Sequence, residues 1–407
     1  MQLLPCDIML KGGGSSEMSD ARDIWNHPYY NMATMVTSFM GQWPYQSTRI
    51  HVAAAVMTFS IIGMMDIAQI SALWVNRGDF LVLLDCIAPL IIDVALVTKY
   101  VNNCYHYRMM VYLLEKMKYN WNIFPKNNGL HVLHEYSTFG KKFMRIYMTA
   151  IWLSVVSYIT EPLQERLMVH LLYPNVTLPK RFSMPFEFGP IDVDTWYYQL
   201  WCATSFGILT RMTVIGSCDL LMFIFAEHTN GLLRGLGYAI EHLPPYDESA
   251  SNDESFDYMR RCIITHSRAI EFAEHVRDIY LWSFFGVIGF NMILMSITGV
   301  QIVNNMDDSK KLIKFVVNMI MQMMHLFVEC LVAQRVMDAS FDLKETITNA
   351  KWYDASTKTQ KLIPLMLLRA QNPVVLTAGK VIVMGMDTYA VVLKTAASYF
   401  TVFVAMQ

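Results

Sequence analysis

Six ionisable residues stand inside stretches that are otherwise apolar: Asp66, Asp85, Asp93, Arg211, Asp219 and Glu329. A charge kept from water is costly, so each must find a partner, a wet cavity or a functional path. Arg211 and Asp219, two turns apart, are expected to share one buried polar network. Asp93 and Glu329 are expected near wet ends, and Asp85, in the outer half of its span, against a ligand or a pocket water. None of these residues sits in a helical HExxH, a phosphate-binding glycine loop or a GxSxG elbow. No catalytic residue is assigned, and the chain is read as something other than an enzyme. His131 and His134 lack a second ligand pair, and the seven cysteines show no CxxC spacing. The reading therefore includes no metal site, no cofactor and no disulfide scaffold.

A second pattern closes the chain. Met384, Thr388, Val391, Thr395, Ser398, Val402 and Ala405 recur at steps of four and three, which places them on one helical face. Hydroxyls alternate there with small and medium apolar groups, as in the wall of a wide, weakly selective path. The same Ser and Thr residues equally suit helix-to-helix packing in a membrane. Asp387 and Lys394 lie on an offset face of the same segment.

These residues must be positioned by membrane helices. Of 407 residues, 54% are apolar and only 16% charged, where a soluble protein carries roughly a quarter charged. The net charge of -2 gives no electrostatic case for nucleic acid. A bilayer core of about 30 Å takes about 20 mostly apolar residues in helical form. Seven stretches qualify: 50–75, 79–100, 143–165, 195–226, 279–304, 312–334 and 375–405. The expected fold class is all-α, a polytopic membrane protein of seven transmembrane helices. Residues 1–46 lack the pattern of a secretory signal peptide, so the first span is expected to direct insertion.

Placing the N-terminus in the cytoplasm puts more Lys and Arg inside than outside, though the inner segments are also longer. It also puts Asn175-Val176-Thr177, a glycosylation sequon, in an outer loop. Residues 244–256 are acidic and turn-rich, an expected cytoplasmic loop. Residues 257–278 and 336–372 are amphipathic, and are expected to form a helical layer beneath the membrane.

The last third carries a series of short motifs in fixed order. These are Ala350-Lys351-Trp352-Tyr353, Leu368-Arg369-Ala370-Gln371-Asn372-Pro373, Leu376-Thr377-Ala378-Gly379-Lys380, and the run from Val392 to Val402. The series resembles the C-terminal signature of insect odorant receptors, closest in flavour to ligand-binding subunits of ants, bees and wasps. The rest of the chain resembles that family in length and helix layout only.

The resemblance implies a cytoplasmic N-terminus and an extracellular C-terminus. It implies a cytoplasmic segment at 1–46, helices one to six with a ligand pocket in their outer half at 47–335, cytoplasmic anchor helices at 336–374 and a pore-lining last helix at 375–407. It further implies a heterotetramer with an odorant coreceptor, gated by a small volatile or apolar ligand, in the plasma membrane of olfactory sensory neurons. The chain lacks the coreceptor's longer insertion between helices four and five, which implies an odorant-specific subunit. Val402 takes the position of the family's apolar pore constriction. Ala405 stands where family pores often carry glutamine. With Val391, Thr395 and Ser398 these form the pore set. The pocket set is Asp85, Ile151, Ser154, Val155, Tyr158, Tyr197, Tyr198, Trp201, Ser205, Phe315, Met319 and Gln322. Membrane lipid is an implied partner; nucleic acid is not. Two alternatives stay open, a seven-helix G-protein-coupled receptor and a gustatory-type receptor. Against them stand the missing Asp-Arg-Tyr, the Asn372-Pro373 run that ends without Tyr, and a final helix without the gustatory signature.

Overall fold

The computed structural model describes residues 24–123, 129–172, 178–247 and 252–405, which are overwhelmingly helical. A short α1 (Asn31–Phe39) precedes α2 (Thr48–Val75), α3 (Phe80–Tyr105), α4 (Tyr107–Ile123) and α5 (Leu130–Leu172). Then follow α6 (Val193–Glu241), α7 (Glu254–Asn304), α8 (Ser309–Asn349), and the small α9 (Thr357–Gln360) and α10 (Ile363–Ala370). A hairpin of β1 (Thr377–Ala378) and β2 (Ile382–Val383) leads into α11 (Met386–Ala405).

Six of the described helices, α2, α3 and α5 to α8, are long and apolar enough to cross a membrane. At 20 residues α11 has the length for a seventh crossing. Four helices start at an aspartate whose carboxylate accepts first-turn N–H groups: Asp79, Asp192, Asp253 and Asp308. Such caps satisfy donors that the helix itself leaves free.

At 41 to 51 residues, α5 to α8 run for about 60 to 75 Å at 1.5 Å per residue. That is twice what a bilayer core needs. The surplus lies at one end of the bundle, where a second apolar cluster joins Leu236 and Ile240 of α6, Met259 and Cys262 of α7, Leu343 and Ile347 of α8, and Ile363 and Met366 of α10. This is called the anchor end below, and the opposite end, which carries residues 178–192, the loop end. Helix α6 runs through the middle: Gly216 to Leu233 are buried without exception, and its polar members are paired there, Asp219 with Lys99 and Glu227 with Arg335.

The last span begins later than its hydropathy predicts. Residues 376–384 form the hairpin instead of helix. The turn places Gly379 and Lys380 at φ 60° and 62°, and Gly379 N–H donates to the Leu281 carbonyl of α7 at 3.0 Å. A Cβ at Gly379 would come within 2.8 Å of the Phe285 ring, so both the backbone angle and the close approach require glycine. Met384 is therefore fully buried behind the hairpin and does not join the expected stripe of the last helix.

Candidate functional site

Pro162 lies within α5 and has no N–H to give the Tyr158 carbonyl one turn back. Ser183, from the loop-end segment, supplies the missing donor: its hydroxyl reaches the Tyr158 carbonyl at 2.9 Å. Tyr158 returns the bond, donating its phenol to the Ser183 carbonyl at 3.0 Å. The Lys314 ammonium of α8 donates to that same carbonyl at 2.6 Å, and the Trp201 indole of α6 to the Ile159 carbonyl at 3.0 Å. The backbone carbonyls around Pro162 thus gather α5, α6, α8 and the loop. Nearby, Gln301 of α7 donates to Asp85 of α3 at 2.6 Å.

Several residues of the expected pocket meet here. Ile151 and Val155 are buried in the main core, with Tyr158 and Met319 packed against it. Phe315 is buried. Ser154 turns back to the Ile151 carbonyl, Gln322 pairs with Thr298 of α7 at 3.0 Å, and Ser205 is half-buried. Tyr197 is buried and donates to the Arg181 carbonyl. Its neighbour Tyr198 is 61% exposed, so the Tyr198–Trp201–Ser205 face turns partly outward, while Tyr197 leads the inward face.

The membrane charges form two nodes. In the first, Arg211 of α6 lies 2.6 Å from Asp93 of α3 and 3.2 Å from Asp66 of α2. In the second, the Lys99 ammonium of α3 lies 2.6 Å from both Asp219 of α6 and Glu329 of α8, and 3.1 Å from His325 Nε2. Tyr147 of α5 donates to Asp219 at 2.5 Å. The expected single Arg211–Asp219 network is thus corrected to two, each acid choosing a nearer cation. Asp93 and Glu329, expected near water, are buried because their partners lie in the bundle interior. Asp219, His325 and Glu329 hold ligand atoms within 4.8 Å of one another, spacing a metal ion would accept. Here the Lys99 ammonium sits among them and supplies the positive charge. Sequence reasoning passed over Lys99 and His325. The available signal was that acids inside spans demand a cation, and that His325 precedes Glu329 by four residues on the same helix face.

One face of α11 is occupied. Val392 and Ala396 are buried, Ser296 of α7 donates to the Ala396 carbonyl at 3.3 Å, and Phe400 packs at Gly299. The other face is bare: Val391, Ser398 and Val402 are exposed, and Thr395 is half-buried with its hydroxyl on the Val391 carbonyl. Asp387 and Lys394 are exposed too. Ala405 ends the helix, with its side chain outside the described residues, as is Asn175.

A family model described as 7tm Odorant receptor matches residues 79–397. Odorant receptor 63a of Drosophila melanogaster is 23% identical over 236 residues, 56% of this chain and 54% of that protein. Odorant receptor 9a of the same fly is 20% identical over 227 residues, 55% of each chain. The chain thus spans about half the length of these curated relatives. Odorant receptor Or1 of Anopheles gambiae is 20% identical over 335 residues, 73% of this chain and 78% of that one. In fold, the chain is similar to the insect olfactory receptor OR5 from Machilis hrabei, solved in complex with eugenol. The TM-score is 0.72 at 13% identity, covering 95% of this chain and 100% of that one.

Proposed function

This chain belongs to the 7tm odorant receptor family, and we propose that it is the odorant-specific subunit of a heteromeric, odorant-gated, non-selective cation channel. The observation that carries this reading is the two-sided α11: one face is packed on its own bundle, the other presents Val391, Thr395, Ser398 and Val402 to whatever lies beside the chain. Around a central axis that stripe forms a path of hydroxyls and small apolar groups. Val402 is the constriction, an apolar ring that gates by wetting and drying.

In this reading the anchor end is cytoplasmic, with the N-terminal segment 1–46 and the layer around 336–374. The loop end is extracellular, and Asn175 is glycosylated there. A small volatile or apolar ligand enters the loop-end half of the bundle among Asp85, Ile151, Val155, Tyr158, Trp201, Phe315 and Met319. It opens the channel by binding the open arrangement more tightly than the closed one. The partner is an odorant coreceptor in a heterotetramer, in the plasma membrane of olfactory sensory neurons.

The pore assignment is tested by modifying single cysteines while current is recorded from cells co-expressing the coreceptor. Ser398→Cys current is expected to fall when a charged thiol reagent is applied, and Ala396→Cys current to be unaffected. Equal insensitivity of both would place the pore elsewhere.

A further inference from the structure

Beneath the loop-end segment lies a buried polar cluster that mixes strong donors with a poor acceptor. Met184 is buried at 8% exposure between two fixed neighbours. Ser183 is held by Tyr158 and Lys314, and Glu187 N–H donates to the Ala68 carbonyl of α2 at 3.0 Å. Its sulfur takes the Gln69 Nε2 of α2 at 3.3 Å and the Arg211 Nη1 of α6 at 4.0 Å. A thioether is a weak acceptor for either donor. Gln69 is fully buried, and its Oε1 has no partner. Turning the amide over exchanges its ends and still leaves one on sulfur and the other bare. The rest of the Arg211 guanidinium is engaged by Asp93 and Asp66, so it is fixed in place.

A buried donor held on sulfur and a buried acceptor with nothing call for a group that both accepts and donates. We propose that Gln69, Arg211 and Met184 form a polar subsite for the hydroxyl of a small aliphatic alcohol, which displaces the Met184 thioether. The hydroxyl oxygen accepts from Gln69 Nε2 and Arg211 Nη1, and its hydrogen goes to Gln69 Oε1. A ketone satisfies the donors only, and an alkane neither. Methionine suits the displaced role, because its unbranched side chain repacks at low strain. The subsite uses α2 and the loop segment, neither of which contributes to the expected pocket except through their neighbours. It rests on the reading of the chain as a receptor for small volatiles.

The test uses the purified full chain in lipid nanodiscs, with 1-octanol, 2-octanone and octane each titrated and their concentrations expressed as mole fraction in the bilayer. The readout is the concentration that half-maximally raises the thermal midpoint. We expect 1-octanol to act at a roughly 2- to 10-fold lower concentration than octane, the worth of one neutral hydrogen bond, with 2-octanone between them. Met184→Leu removes the competing acceptor and should widen the preference for octanol, whereas Gln69→Leu should reduce it to that of the ketone, with Arg211 the remaining donor. Equal effects of octanol and octane on the wild type would overturn the subsite and leave ordinary buried water as its occupant. An octanol preference undiminished by Gln69→Leu, or unmoved by Met184→Leu, would overturn it as well. No current is measured, so failure here is separable from failure of the channel reading.

Discussion

Lys99 holds its ammonium 2.6 Å from the Asp219 carboxylate, across 120 residues of sequence, in the interior of a membrane bundle. Glu329 completes the contact at the same distance, so one cation joins α3, α6 and α8. Two charges taken out of water recover their hydration cost only through close mutual contact, and removing one partner strands the other. Lys99→Met should therefore destabilise the folded receptor by about 3 to 5 kcal/mol, the range for breaking a buried pair. Detergent-solubilised protein, followed by size-exclusion chromatography after heating, reports this directly. The triple variant Lys99→Met/Asp219→Asn/Glu329→Gln should recover much of the loss, because the neighbouring sites are coupled. A single variant as stable as wild type would show that the node is wet and weak.

The Pro162 turn of α5 gives a second prediction. Ser183 caps a carbonyl that the proline leaves free, so Ser183→Ala should cost about 1 to 3 kcal/mol, the penalty of an unsatisfied buried acceptor. Pro162→Ala restores the helical donor, and in that background Ser183→Ala should cost much less. Equal costs in both backgrounds would mean that the serine acts only through the loop.

Near the anchor layer, Asp253 caps α7 and accepts from Ser255 at 2.7 Å and Phe256 N–H at 3.0 Å. Hydrogen bonding, first from Ser356 and then from these groups, holds its carboxyl below the ordinary value of 3.8. A depressed carboxyl contributes stability above its unfolded value and loses it as pH falls through the folded value. Asp253→Asn should thus be less stable than wild type by a constant amount from pH 5 to 8, with the gap closing below about pH 4 as the wild-type carboxyl protonates. A gap that instead changed between pH 6 and 8 would implicate another group.

The spans were legible because about 20 apolar residues in a row have few other uses. Six of the seven expected stretches fall on single helices. The extensions of α7 and α8 were legible in part, as the amphipathic stretches 257–278 and 336–349, whereas those of α5 and α6 were hidden because they carry no membrane signal. The hairpin at 376–384 was equally hidden. Its Leu376, Ala378, Val383 and Met384 read as span, and Gly379, at positive φ together with Lys380, is the one residue type there that marks a turn. For the candidate site, periodicity distinguished the bare stripe of α11 from its packed side but could not separate Tyr197 from Tyr198. The break at Trp196, where the backbone leaves helical angles, sets which tyrosine turns inward. Charge pairing was the least legible feature. Asp219 meets Lys99 through tertiary packing alone, and no local spacing records it.

The bare face of α11 predicts an ordered response to substitution. Val391→Trp and Ser398→Trp should leave the thermal midpoint of the isolated subunit nearly unchanged, because both sites are exposed. Ala396→Trp should lower it by several degrees, since its site is filled by α7. Comparable losses at all three would mean that the face is covered within the subunit itself.

The most direct test of the channel reading is odorant-evoked current in cells expressing this chain with and without an insect odorant coreceptor. Co-expression is expected to give a cation current whose amplitude or open probability changes with Val402→Ala. Absence of current across a broad panel of volatiles, with the chain and the coreceptor both present at the cell surface, would contradict it.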